Sequence, residues 1–183
     1  MIHLILGGAR SGKSRFAEQQ ASHSGQSVLY IATATAGDAE MRSRIEHHQR
    51  QRPQDWQLVE EPFNLSQVIA QHNDNEKTLI IECMTLWVNN WLCTNDLDNW
   101  ETEKQAFIDA LIESSSNIII VSNEVGSGVV PLGELSRDFV DQAGWLNQAL
   151  AGLADKSTLV VAGCPLQLKP AIHGGPKGNS NAD

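Results

Sequence analysis

Basic residues are scarce: 13 Lys and Arg stand against 22 Asp and Glu, a formal net charge of −9 over 183 residues. No broad positive field exists to hold nucleic acid, and no local basic patch stands out, so nucleic-acid binding is not expected. Long hydrophobic runs are missing too. No stretch approaches the roughly 20 apolar residues needed to cross a bilayer, so no membrane span is expected. Cysteine is sparse, with only Cys83, Cys93 and Cys164. Three widely spaced cysteines make neither a disulfide framework nor a metal-ligand pattern, and they suit a reducing compartment. No leader-like segment precedes the first apolar stretch, so the expected location is the cytoplasm. Asn64, Leu65 and Ser66 fit a glycosylation pattern, which reads as accidental in that setting. Repeats and linkers are also lacking, and 41% hydrophobic content is enough for one full-sized core. The expected organisation is a single domain over 1–169. Residues 170–183 are rich in Gly, Pro and Asn without periodic apolar positions, and they read as a flexible tail.

What is present begins at once. Residues 2–6 (IHLIL) are apolar apart from His3, and Gly7, Gly8, Ala9, Arg10, Ser11, Gly12, Lys13 and Ser14 follow directly. This satisfies G-x-x-x-x-G-K-[ST] at every required position. Glycines permit a tight turn that aims successive N–H groups at phosphate oxygens. Lys13 adds positive charge near the outer phosphates, and the Ser14 hydroxyl is placed to ligate magnesium. The helix that starts here turns its positive dipole end toward the same anion. Because the motif sits between an apolar strand and a good helix former (RFAEQQA, 15–21), nucleotide binding is favoured over a bland glycine turn.

Short apolar runs alternate with helix-like segments along the chain. Strands are expected at 2–6, 27–32, 78–82, 117–122 and 157–162, each continuous and rich in Val, Ile and Leu, as in parallel strands buried on both faces. Helices are expected at 13–22, about 39–51, 64–71, 86–92, 99–114 and 134–154. The alternation predicts a three-layer α/β fold on a mostly parallel sheet. Ligands then lie at the carboxyl ends of the strands, so the residues just after each strand carry most weight.

One such residue is Glu82, which closes the run TLIIE. An acidic residue there can hold magnesium directly or through water, whereas its bland alternative is a surface Glu at a strand exit. A second feature is the polar segment 38–53, which holds His47, His48 and several arginines. Helical neighbours point about 100° apart, so the two histidines cannot share one job. Zinc binding is not expected, because it wants i, i+4 spacing. On residue chemistry alone, a solvated amphipathic helix and a nucleophilic histidine at phosphorus stay equally open. The third feature, SNEVGSGVVP (122–131), follows a strand with small residues and glycines. There Asn123 and Glu124 are candidates for substrate polar groups, against a plain connection. Trp87 and Trp91, at helical spacing, read as a packing or subunit-contact stripe rather than a cofactor box. Cys83 reads as a buried small residue rather than a reactive thiol.

Seven motifs in order carry a family resemblance: GGARSGKSRFAE (7–18), LYIATA (29–34), EMRSRIEHHQRQRP (40–53), IIECMTLWVNN (80–90), VSNEVGSGVVP (121–131), DQAGWLNQALA (141–151) and LVVAGCPLQLK (159–169). Together they resemble the bifunctional adenosylcobinamide kinase / adenosylcobinamide-phosphate guanylyltransferase family of cobalamin synthesis, over residues 2 to about 169. The phosphate loop alone is unspecific, whereas the His-His segment with the Asn-Glu-Val-Gly loop is quite specific.

The resemblance implies a P-loop NTPase fold of the RecA-like type and a homotrimer. Its implied reactions are phosphorylation of adenosylcobinamide by ATP or GTP, then transfer of GMP from GTP to adenosylcobinamide phosphate through a GMP-histidine. Matched motif by motif, the nucleophile is His48, with His47 as the alternative. Gly7 to Ser14 hold the triphosphate. Ala32, Thr33, Ala34, Gln49, Arg50, Gln51 and Arg52 line the GTP site, and Glu60 and Glu82 add nucleotide contacts. Mg2+ is the implied cofactor, on Ser14 and Glu82, with Arg44, Arg50 and Arg52 as candidates to steady phosphate oxygens. The chain departs from the pattern at Trp145, where an Arg is expected, and in the length around Asp38 and Ala39. Two further readings remain: a guanylyltransferase with little kinase activity, and a nucleotide-binding regulatory protein without transfer chemistry.

Overall fold

A computed structural model describes residues 1–35, 53–94 and 96–170. The helix expected at 39–51 and the tail after Pro170 lie outside the described residues. In chain order the elements are β1 (Ile2–Gly7), α1 (Lys13–Ser22), β2 (Ser27–Ala32), β3 (Gln57–Glu60), α2 (Leu65–Gln71) and β4 (Lys77–Glu82). They continue with α3 (Met84–Thr94), α4 (Leu97–Glu113), β5 (Asn117–Asn123), α5 (Glu134–Leu153), β6 (Lys156–Val161) and β7 (Cys164–Lys169).

The seven strands form one sheet in the order β3-β2-β4-β5-β1-β6-β7. Neighbours are parallel except β6 and β7, which pair antiparallel. Side chains alternate between faces along each strand, and the core divides accordingly. Leu4, Leu29, Leu79, Ile81, Ile118 and Ile120 face one side, packed under α2, α3, α4 and α5 through Leu65, Trp87, Phe107 and Leu146. Ile5, Val28, Tyr30, Ile80, Ile119 and Val121 face the other, against Ala17 and Ala21 of α1. Helices therefore cover both faces of a mostly parallel α/β sheet, which explains why the strands read as unbroken apolar runs.

Trp87 and Trp100 are fully buried with ring centroids 4.9 Å apart, and Phe107 lies 5.0 Å from Trp87. Trp87 is thus a core residue. Trp91 packs edge-on against Phe63 at 5.2 Å.

Two strands went unforeseen. β3 (QLVE) is a four-residue edge strand with only Val59 partly buried, so it lacks an apolar signature. β7 contains Pro165 and is exposed along most of its length. Proline is tolerated there because an edge strand need not donate on its open side. The β6–β7 turn uses Ala162 at φ 50° and Gly163 at φ 79°, a left-handed pair that suits a tight hairpin.

Candidate functional site

Strand carboxyl ends meet on one edge of the sheet. Register places Gly7 beside Asn123, and Ala32 beside both Glu60 and Glu82. The residues singled out from sequence at Gly7, Ala32, Glu60, Glu82 and Asn123 therefore share one end of the sheet. With strands about 4.8 Å apart, Ala32 lies about 14 Å and Glu60 about 19 Å across from Gly7, a span suited to an extended nucleoside triphosphate.

The phosphate loop is held from several sides. Gly12 adopts φ 94° and precedes α1 without a side-chain cap of its own; the first-turn N–H groups of such a helix bind anions. Arg10 has φ 56°. Ser11 N–H donates to Gly8 C=O at 3.3 Å, and Gly163 N–H donates to Ser11 C=O at 2.8 Å. A Cβ on Gly12 would stand 3.3 Å from Gly163 Cα. The unforeseen β6–β7 turn thus buttresses the loop. Its signal lay in the Ala-Gly of LVVAGCPLQLK, within a quoted motif, but nothing local showed that it would touch Ser11. On the other flank, Glu124 N–H donates to Gly7 C=O at 3.1 Å. Gly7 is buried so tightly that a Cβ there would meet Ser11 Oγ and would lie 2.6 Å from Val160 O.

Two loop side chains carry the polar chemistry. Lys13 is buried at 8% exposure, with Nζ donating to Gly8 C=O at 3.2 Å. The ammonium thus sits folded over its own loop. Ser11 Oγ is buried without a hydrogen-bond partner among the described residues, an arrangement that fits a bound phosphate oxygen. At the base of α1, Ser14 Oγ donates to Glu82 Oε1. This brings together the two residues expected to serve a metal. Both offer hard oxygen, the donor type magnesium prefers.

Around the end of β4 the backbone is tied by Thr33. Its N–H donates to Glu82 C=O at 2.9 Å. Its hydroxyl donates to Cys83 C=O and accepts from Cys83 N–H, each at 2.8 Å. Cys83 itself is buried, and burial followed by the neighbouring Glu82 charge pushes its thiol pKa up. This agrees with an unreactive structural thiol. Asn123 Nδ2 donates to Thr85 Oγ1 at 2.7 Å. Glu124 Oε1 accepts from Gly126 N–H at 2.8 Å and from Ser127 Oγ at 3.3 Å. In this arrangement Glu124 shapes its own loop, and Asn123 braces β5 against α3. Asn147 of α5 donates to Asn123 C=O at 3.2 Å, a contact without a sequence signal. Glu60 is exposed at the end of β3. Trp145 is 58% exposed on α5, away from the buried face that holds Leu146 and Leu150. His47, His48, Gln49, Arg50, Gln51 and Arg52, with Arg44, lie outside the described residues.

No helix among the described residues is long and apolar enough to cross a membrane.

Comparison with known proteins supplies a family for the chain. Residues 3–168 match the family described as cobinamide kinase / cobinamide phosphate guanyltransferase. A bifunctional adenosylcobalamin biosynthesis protein of Pseudomonas aeruginosa, CobP, is 50% identical over 169 residues, covering 92% of this chain and 98% of the relative. The bifunctional adenosylcobalamin biosynthesis protein CobU of Escherichia coli K12 is 42% identical over 92% of this chain and 100% of its own length. Its Salmonella typhimurium counterpart is 39% identical over the same shares.

Proposed function

The chain belongs to the cobinamide kinase / cobinamide phosphate guanyltransferase family, and from that membership we propose how its residues divide the work. It is a bifunctional enzyme of adenosylcobalamin biosynthesis, acting on nucleotide substrates. One activity phosphorylates the aminopropanol hydroxyl of adenosylcobinamide. The other transfers GMP from GTP to the resulting phosphate, giving adenosyl-GDP-cobinamide and pyrophosphate.

In the kinase reaction the substrate hydroxyl oxygen attacks the γ-phosphorus, its proton is lost, and the nucleoside diphosphate leaves. Gly7, Gly8, Ala9, Arg10, Ser11, Gly12, Lys13 and Ser14 grip the triphosphate through backbone N–H groups and the Lys13 charge. In the guanylyl reaction a ring nitrogen of His48 attacks the α-phosphorus. A P–N bond forms, the α–β P–O bond breaks, and pyrophosphate leaves. The phosphate of adenosylcobinamide phosphate then attacks the same phosphorus, breaking the P–N bond and freeing His48. Ala32, Thr33, Ala34, Glu60 and Gln49 to Arg52 line the guanosine nucleotide, and Arg50 and Arg52 steady phosphate oxygens.

Ser14 and Glu82 would hold Mg2+. No three His, Cys, Asp or Glu side chains cluster into a metal cage among the described residues. Magnesium fits such a place because it keeps several waters and takes substrate phosphates as ligands. When bound it neutralises charge on the phosphates and the leaving pyrophosphate. The resemblance also supports residues 1–169 as the catalytic unit, a homotrimer and a cytoplasmic location.

The observation that carries this reading is the hydrogen-bonded meeting of Ser14 and Glu82 beside buried Lys13, in a chain half identical to a bifunctional relative. Incubation with α-labelled GTP tests it. The wild-type chain takes up acid-labile, base-stable label, His47→Ala keeps it and His48→Ala loses it. Label retained in His48→Ala but lost in His47→Ala reverses the assignment, and no label at all removes the histidine intermediate.

A further inference from the structure

Helix α3 carries an amide that closes a gap between two strand ends. Asn90 is buried at 8% exposure. Its Nδ2 donates to Thr33 C=O at 2.8 Å and to Pro62 C=O at 3.1 Å, and its Oδ1 accepts from Thr35 Oγ1 at 3.4 Å. Thr33 follows the last residue of β2, and Pro62 lies two residues beyond the last residue of β3. A single side chain therefore spends both of its protons joining the exits of two neighbouring parallel strands. These are the exits that carry Ala32, Thr33, Ala34 and Glu60.

The neighbours on the same helix reinforce one of these exits. Trp87 Nε1 donates to Phe63 C=O at 2.7 Å, and Trp91 Nε1 approaches the same oxygen at 3.3 Å. Positions 87, 90 and 91 share one helical face, so the tryptophan stripe and Asn90 form a single row against residues 62–63. None of these contacts reaches the phosphate loop, whose own supports are Gly163, Glu124 and Glu82. The nucleotide-facing edge of the sheet thus has two sets of anchors, which meet only where Thr33, held by Asn90, bonds the backbone of Glu82 and Cys83.

We propose that Asn90 is a positioning residue that sets the β2 and β3 exits for the nucleoside part of the nucleotide rather than for the phosphate grip. This rests on the reading that Ala32 to Ala34 and Glu60 face the nucleoside. Replacing the amide by a carboxylate removes two donors and sets negative charge against two carbonyl oxygens. A serine keeps at most one donor.

The test measures binding of GTP and of inorganic tripolyphosphate to the full chain, for wild type, Asn90→Asp and Asn90→Ser, with circular dichroism to check folding. Asn90→Asp weakens GTP about ten-fold or more while tripolyphosphate changes within about two-fold, and Asn90→Ser falls between. Equal weakening of both ligands, unchanged GTP affinity, or loss of the fold in both variants overturns the proposal, because the amide then supports everything or nothing. Wild-type affinity for tripolyphosphate equal to that for GTP has a different meaning. It removes the assignment of these strand ends to the nucleoside, and the proposal falls with it.

Discussion

Ser14 and Glu82 are 68 positions apart in the chain, yet the serine hydroxyl donates directly to the glutamate carboxylate. The contact ties the first turn of α1 to the exit of β4, although β5 lies between β4 and β1, the strand that leads into α1. Two oxygens so placed beside a phosphate loop are a ready pair for magnesium. Ser14→Ala and Glu82→Gln are each expected to raise the magnesium concentration for half-maximal kinase activity by about ten-fold or more. Titration of MgCl2 at fixed GTP checks this. An unchanged magnesium requirement in Glu82→Gln takes that residue out of the metal site.

Lys13 reaches back over Gly8, and among the described residues it makes no ion pair. Its ammonium needs little rearrangement to meet a triphosphate, and its loss removes a charge from a poorly solvated place. Lys13→Ala is expected to lower kcat/KM for GTP by about 100-fold or more, measured by steady-state kinetics. Retained activity removes the phosphate loop from the mechanism.

The loop glycines separate two demands that the motif merges. A Cβ on Gly7 would press on Val160 O at 2.6 Å, whereas Gly8 has open space around it and an ordinary backbone conformation. Gly7→Ala is expected to cost about 2 kcal/mol or more in stability through overpacking against backbone. Gly8→Ala changes stability by less than about 0.5 kcal/mol, and any loss of GTP affinity in it reports on ligand approach alone. Urea unfolding and GTP titration on both variants check the contrast.

The site was legible where chemistry is written locally. The phosphate loop, Glu82 at a strand exit and the five inner strands all announce themselves through contiguous residue types. β3 and β7 do not, because an edge strand with one bonded side tolerates Gln57, Glu60, Pro165 and Gln167, which dilute the apolar signal. The roles of Gly163 and Asn90 were equally silent. Gly163 matters through a bond to Ser11 in the loop beyond the neighbouring strand, and Asn90 through two carbonyls 57 and 28 positions away. Tertiary contacts of this kind leave no periodic trace in the chain.

His3 supplies a pH dependence independent of the catalytic groups. It lies buried in β1 at 5% exposure, with Nε2 2.9 Å from Thr158 Oγ1 and its ring edge-on to Phe16. Burial first, and the Lys156 charge second, lower its pKa from 6.5 to about 4. The folded state therefore resists protonation that the unfolded chain accepts. Between pH 6.5 and about 4 the unfolded state binds more protons, so stability is complete above pH 6.5 and declines as pH falls through this window. The decline attributable to His3 is up to about 3 kcal/mol, flattening below pH 4. Urea unfolding of wild type and His3→Leu at pH 7, 5.5 and 4.5 isolates the effect. The variant starts less stable at pH 7, since Thr158 loses its partner, but loses less on acidification. If the two chains lose stability in parallel over that window, His3 is not the group that titrates.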